Sequence, residues 1–200
     1  MPERKQLSRE DWAAAALDAL AADGLRGVAV EPLAVHLGAT KGSFYWHFRN
    51  RDALIEAALD LWERRNTADV IAATADNPDP RSALRTLLST TLGSVTTDAP
   101  APSRTGHAVE VALQADARNP LVAAALDRVA RQRLDHLTEL FVRLGVPTGG
   151  ARQRAALGLT AYLGQVQLAR AAPDLLPRGP ALDAYLDYLL DTLTGDSRTG

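Results

Sequence analysis

The chain has 200 residues, 46% of them hydrophobic, a net charge of −2 and no cysteine. It is long enough for one or two domains with a sizeable core. The absence of cysteine excludes disulfides, thiolate zinc sites and a cysteine nucleophile, and points to a reducing, cytoplasmic setting. The balanced charge shows no global pull toward membrane or nucleic acid. The opening MPERKQLSRE lacks the apolar segment of a signal peptide, and no run of about 18 apolar residues is present to span a membrane.

In chain order, Ser8 reads as an N-cap with Asp11 as its partner in a capping box. Trp12, Ala15, Ala16, Ala19 and Leu20 follow at helical spacing, and Gly24 reads as the stop. A short helix is expected over about 30–37, with Pro32 tolerated in its first turn. Gly38 breaks it, Thr40 caps a second short helix to about Trp46, and Asn50 caps a longer one to about Thr74. Pro80 stands where a first-turn proline belongs and opens a helix marked by Leu84, Leu87, Leu88, Thr91 and Val95. Residues 98–104, DAPAPSR, read as a linker. Further helices are expected over about 106–116, from Asn119-Pro120 to Leu144, over 151–171 and over 180–194. No alternating strand pattern occurs. The expectation is an all-α protein of about nine helices.

The stretch TKGSFYWHFRNRDAL, residues 40–54, decides the function class. Phe44 and Phe48 lie four apart and share one helical face. They can complete a small core with Trp12, Ala16, Leu20, Leu33, Ala34 and Leu37. Lys41, Ser43, Tyr45 and His47 are then left outside. Two short helices about a glycine turn, the second carrying polar and cationic groups outward, form a helix-turn-helix, whose second helix enters a DNA major groove. A phenol, an imidazole N–H, the Arg51 guanidinium and the free N–H groups of a helix start all suit phosphate oxygens. Charge alone would not have found this site: residues 1–65 hold nine Lys/Arg and ten Asp/Glu, a net of −1. What stands out is distribution, since Lys41, Arg49 and Arg51 occur in 41–51 without an acid. Arg4, Lys5 and Arg9 form a possible basic arm.

With these residues in view, 9–61 resemble the DNA-binding segment of the TetR family of bacterial transcriptional regulators. The matching residues are Trp12, Ala15, Ala16, Leu17 and Gly24, then LAVHLGATKGSFYWHF at 33–48 and RNRDAL at 49–54. The resemblance implies a helix-turn-helix domain over 1–52 and a ligand-binding and dimerisation domain over 53–200. It implies DNA contacts from Thr40, Lys41, Gly42, Ser43, Tyr45, His47 and Arg51. Lys41 and Ser43 would read bases, while Tyr45, His47 and Arg51 would hold phosphates. Two positions depart from the family pattern. Ala29 stands where Ser or Thr commonly caps the first helix of the motif. Glu31 stands where a basic or polar residue often touches DNA. An acid there repels phosphate unless it accepts from a cytosine amino group.

The C-terminal region points to assembly. No charged residue occurs from Ala155 to Ala169. Ala155, Gly158, Tyr162, Val166 and Ala169 make one stripe; Leu157, Ala161, Gly164 and Leu168 make another. A helix apolar nearly all round needs cover on both sides. The first stripe, with Leu182, Tyr185, Leu186, Leu189 and Leu193 of the last helix, is expected to form a homodimer interface. A two-fold dimer would present two recognition helices to an inverted-repeat operator. The family resemblance implies a small-molecule effector, largely apolar, with His107, Glu110, Gln114, Tyr162 and Gln165 as polar lining candidates. No cofactor or metal is expected, because His36, His47, His107 and His136 show no ligand spacing and no catalytic motif occurs. Two other readings are a regulator governed by a protein partner and a helical enzyme carrying a vestigial helix-turn-helix.

Overall fold

The computed structural model describes residues 7–96 and 101–195. Among these residues every element is helical: α1 Arg9–Asp23, α2 Val30–His36, α3 Lys41–His47, α4 Arg51–Glu63, α5 Asp69–Ala75, α6 Pro80–Thr96, α7 Ala101–Ala115, α8 Pro120–Arg143, α9 Thr148–Ala171 and α10 Pro180–Thr194. The expected helix over 51–74 is continuous in chain but not in pitch, because a π-helical turn, Arg64–Ala68, separates α4 from α5. The expected linker over 98–104 falls partly outside the described residues. Its second part is helix, since α7 begins at Ala101 and its first turn accommodates Pro102.

Two compact units divide the chain. One comprises residues 1–65 and Ala108–Asp127, the other Asn66–His107 and 128–200. The division between these units falls after residue 65, where a boundary at residue 52 was expected. α4 belongs with the N-terminal helices, because Leu54, Ile55, Ala58, Leu59, Leu61 and Trp62 are all buried there. The middle of the chain also returns to this unit: the Leu25 amide donates to Asp116 Oδ2 at 2.8 Å, and Val109, Leu113, Val122 and Ala125 are buried.

In the first unit, Ser8 and Asp11 form the expected capping box, with Ser8 N donating to Asp11 Oδ2 at 2.8 Å and Asp11 N to Ser8 Oγ at 3.1 Å. Such a cap contributes about 1 kcal/mol. α1 then buries Trp12, Ala13, Ala15, Ala16, Leu17 and Leu20. The aromatic centre is built as the spacing requires. Trp12 meets Phe44 edge-on at 5.5 Å, and Phe44 stacks on Phe48 at 5.5 Å. Both phenylalanines are fully buried. Gly38 takes φ +63° between α2 and α3, a conformation costly for any residue with a Cβ. The Ala39 amide reaches back to Ala34 O at 2.8 Å and that of Gly38 to Val35 O at 3.1 Å, which closes the end of α2 and turns the chain into α3.

The second unit is built on leucines. Leu84, Leu88 and Leu92 of α6, Leu140 and Phe141 of α8, Ala151 and Ala155 of α9, and Leu182, Leu186, Leu190 and Leu193 of α10 share one core. Polar contacts at its edge hold α10 in place. Arg81 pairs with Asp191 at 2.6 Å and donates to Thr194 Oγ1 at 3.0 Å. Arg154 donates to the Thr194 carbonyl at 2.7 Å, a cation at a helix C-terminus where orphan carbonyls need donors.

Candidate nucleic-acid interface

α3 is positioned from both ends. Thr40 caps it, its Oγ1 accepting from Ser43 N at 3.1 Å. At the other end, Arg9 donates to the His47 carbonyl at 3.1 Å and lies over the Phe48 ring at 4.6 Å. Arg9 thus serves packing and helix termination rather than a loose basic arm; Arg4 and Lys5 lie outside the described residues. With Phe44 and Phe48 inward, Lys41, Gly42, Tyr45 and Trp46 are exposed and Ser43 and His47 half-buried. A Cβ added at Gly42 would meet only Thr40 Oγ1, at 3.6 Å. The glycine is therefore not demanded by packing inside the chain. Its effect is to leave the start of α3 bare, so that another backbone or a phosphate can come close.

Three features differ from the sequence expectations or add to them. First, Arg51 is turned back onto the protein. Its Nε donates to Val28 O at 2.6 Å and its Nη2 to Leu25 O. The guanidinium ties the loop entering α2 to the start of α4. Second, Glu31 accepts from Lys41 Nζ at 2.6 Å, both side chains being more than half exposed. That hydrogen bond, with the attraction of the ammonium, lowers the Glu31 carboxyl below its ordinary pKa and raises Lys41 above its own. Third, Trp46 is 89% exposed on the outer face of α3, four residues beyond Gly42. A large ring left in water is the uncommon observation, since Trp is highly buried on average. The sequence held the signal: Trp46 shares the Gly42 face, opposite the Phe44 and Phe48 face. Ala29, as expected, starts α2 without a side-chain cap.

The second unit holds a cavity of about 60 Å³. Its walls are largely apolar, including Val70, Ile71, Leu87, Leu137 and Leu159, with Thr67, Arg133, His136 and Tyr162 as polar groups. Of the five expected lining residues, Tyr162 is there. His107 stands behind it, its Nδ1 at 3.3 Å from Tyr162 Oη and its Nε2 at 2.8 Å from Ser94 Oγ. Gln165 is buried and its Oε1 has no hydrogen-bond partner. Glu110 and Gln114 fall in the segment that joins the first unit, the former buried and the latter exposed, and neither lines this cavity. Sequence reasoning missed Arg133 and His136. Arg133 donates from Nε to Thr67 Oγ1 at 3.1 Å and stands 5.3 Å from the Tyr162 ring centre. His136 Nε2 lies 2.9 Å from Thr74 Oγ1, and burial holds its pKa below the usual histidine value. Among the described residues no group of His, Asp and Glu is placed to hold a metal, and no helix is long and apolar enough to cross a membrane.

The residues of the expected dimer stripe lie largely within their own chain. Ala155, Leu182, Leu186, Leu189 and Leu193 lie in the core of their own chain, with Tyr162 and Tyr185 packed against it. Gly158 and Val166 are buried as well, and Ala169 is half-buried. A Cβ at Gly158 would meet Leu193 Cδ1 at 3.6 Å. The face left open on α9 is the second stripe, with Leu157 53% exposed and Leu168 and Gly164 also exposed. On α10 the open face carries Tyr188, 69% exposed, with Ala184 and Thr192.

Two short helices joined by a left-handed glycine turn, the second presenting a bare, polar N-terminal face, define a helix-turn-helix DNA-binding protein. Residues 13–58 match the family model of the bacterial regulatory proteins, tetR family. Residues 13–58 thus resemble the DNA-binding segment of the tetR family of bacterial regulatory proteins. Its fold is similar to that of a transcriptional regulator from Rhodococcus sp. RHA1, at 25% identity and TM-score 0.71, covering 95% of both chains. It is also similar to a TetR-family regulator from Streptomyces coelicolor, at 20% identity and TM-score 0.73, covering 94% of this chain and 88% of that one. A third similar structure is SmeT, the repressor of the Stenotrophomonas maltophilia multidrug efflux pump SmeDEF. It is 20% identical with TM-score 0.68, covering 97% of this chain and 92% of that one. A sequence comparison with curated proteins finds no match.

Proposed function

We propose that the protein is a cytoplasmic homodimeric repressor. It binds an inverted-repeat operator through α2 and α3 and leaves it when a small, largely apolar molecule occupies the cavity of the second unit. The observation that carries the DNA-binding reading is the division of α3, with Phe44 and Phe48 buried and Lys41, Gly42, Tyr45 and Trp46 facing water. Thr40, Lys41, Gly42, Ser43, Tyr45 and His47 remain the proposed contacts, with Tyr45 and His47 on phosphates. Arg51 acts one step back, by placing α2. SmeT, named as a repressor, supports the sign of the regulation.

Dimerisation is supported by the exposed, uncharged row of Leu157, Gly164 and Leu168 on α9 with Tyr188 on α10. Small residues in the row permit close approach of a second copy. Effector control is supported by the cavity, whose volume of about 60 Å³ is well below the roughly 300–1,000 Å³ usual for drug-sized ligands. Its occupant is therefore small, or the walls spread to admit it. Such a molecule shifts the equilibrium only if it binds better to a form that mismatches the operator. The chain passes between the two compact units within the π-helical turn Arg64–Ala68, the natural place for that change to be passed on.

Sequences selected from random duplex DNA test the reading. The expected result is an inverted repeat bound by a dimer of the 21.4 kDa chain. A compound that raises the melting temperature of the free protein should also release it from that sequence. Stabilising compounds that leave DNA affinity unchanged would sever the proposed coupling.

A further inference from the structure

We propose that Glu31 and Lys41 together read one G·C base pair in each half-site, the carboxylate facing cytosine and the ammonium facing guanine. This rests on the DNA-binding reading above. Glu31 lies in the first turn of α2 and Lys41 is the first residue of α3, so the two elements of the motif each supply one member. Their charged atoms are 2.6 Å apart, and the side chains are 72% and 56% exposed respectively. The pair is therefore held together without being covered.

An ammonium has three donors, and Glu31 Oε1 takes one of them. Two donors and the remaining carboxylate lone pairs are left for a further partner. The major-groove edge of a G·C pair shows N7 and O6 of guanine as adjacent acceptors, followed by the N4 amino donor of cytosine. Two donors beside an acceptor match that order. An A·T pair places the adenine amino donor between its two acceptors. There the lysine keeps one acceptor instead of two, and thymine O4 is set against the carboxylate. An acid at the DNA surface, unfavourable beside phosphate, thus gains an amino partner beside two acceptors for the ammonium, an order that only a G·C pair provides.

The test is selection from random duplex DNA with the wild type, Lys41→Ala, Glu31→Ala and the double variant, each checked for unchanged helical circular dichroism. The wild type should enrich an inverted repeat with a G·C pair in each half. Each single variant should lose discrimination at that same pair, by about 5- to 150-fold for a bidentate base contact. The double variant should lose no more than the larger single loss, because the two groups act as one reader. A Glu31→Ala protein that binds all DNA more tightly with an unchanged preferred sequence would overturn the proposal. So would single variants that relax two different base pairs. If the wild type enriches an inverted repeat without a G·C pair there, the joint reading fails while DNA binding stands. If it enriches nothing, both fail.

Discussion

α3 and α9 both present apolar or aromatic residues on more than one face, yet they differ in how much of their orientation is written locally. α3 has two phenylalanines four apart and cationic or hydroxyl groups elsewhere, so one face alone can be buried without stranding polar groups. The structure buries that face. α9 carries Ala, Gly, Leu, Tyr and Val around most of its circumference. Either stripe could enter the core at similar cost, so local pattern does not choose between them. The inner stripe faces a core shared with α6, α8 and α10, with Leu193 of α10 beside Gly158. A helix reveals its inner face in sequence only when its faces differ in polarity.

That contrast can be broken most forcefully at α9 and α10. Leu186 is buried in the core of its own chain. Leu186→Glu places an unpaired charge there and should cost more than about 3 kcal/mol, unfolding the second unit instead of only parting two copies. Leu157→Glu, on the open stripe, should keep full helical circular dichroism and shift sedimentation from dimer to monomer. The reverse pattern, with Leu186→Glu folded and monomeric, would restore the first stripe as the interface.

A smaller effect sharpens the picture at α3. Arg51 donates to Val28 O and Leu25 O. Arg51→Ala should lower stability in urea by about 1.5–3 kcal/mol, the range for hydrogen bonds to a charged group. The salt dependence of DNA binding should keep its slope. A slope reduced by about one ion with unchanged stability would return Arg51 to the phosphates.

The smallest effect separates the ionisable groups of the two regions. The Glu31–Lys41 pair is exposed and should respond to salt with little change in stability. His136 is different, because burial holds its pKa below the ordinary 6.5. The unfolded chain then takes up the proton first, so stability is full above about pH 6.5 and declines as pH falls through that value toward the lower folded pKa. His136→Gln should flatten that part of the melting temperature profile between pH 7 and 5. A wild-type profile already flat there would show that His136 titrates normally.

Much of the first unit was legible without coordinates. The cap at Ser8, the glycine turn at Gly38 and the inward pair Phe44 and Phe48 follow from short-range chemistry, and each is met. The helical rods were legible too, since caps, prolines and periodicity act within a few residues. Other features depended on residues far apart in sequence. Asp116 reaches Leu25 across the return of the chain, which brings the segment Ala108–Asp127 into the first unit. Arg51 faces two carbonyls that its own neighbourhood does not announce, and Glu31 meets Lys41 only because the turn at Gly38 brings two helix starts together. Sequence alone thus determined most of the helices, several of their caps and the motif, because those are set by hydrogen bonds and side-chain period over one or two turns, while the π-helical turn at Arg64–Ala68 and the start of α7 at Ala101 were not legible there. Tertiary structure alone decided which face of α9 is open, what encloses the cavity and which charges find partners. Those depend on packing volume and distance between segments that no local pattern encodes.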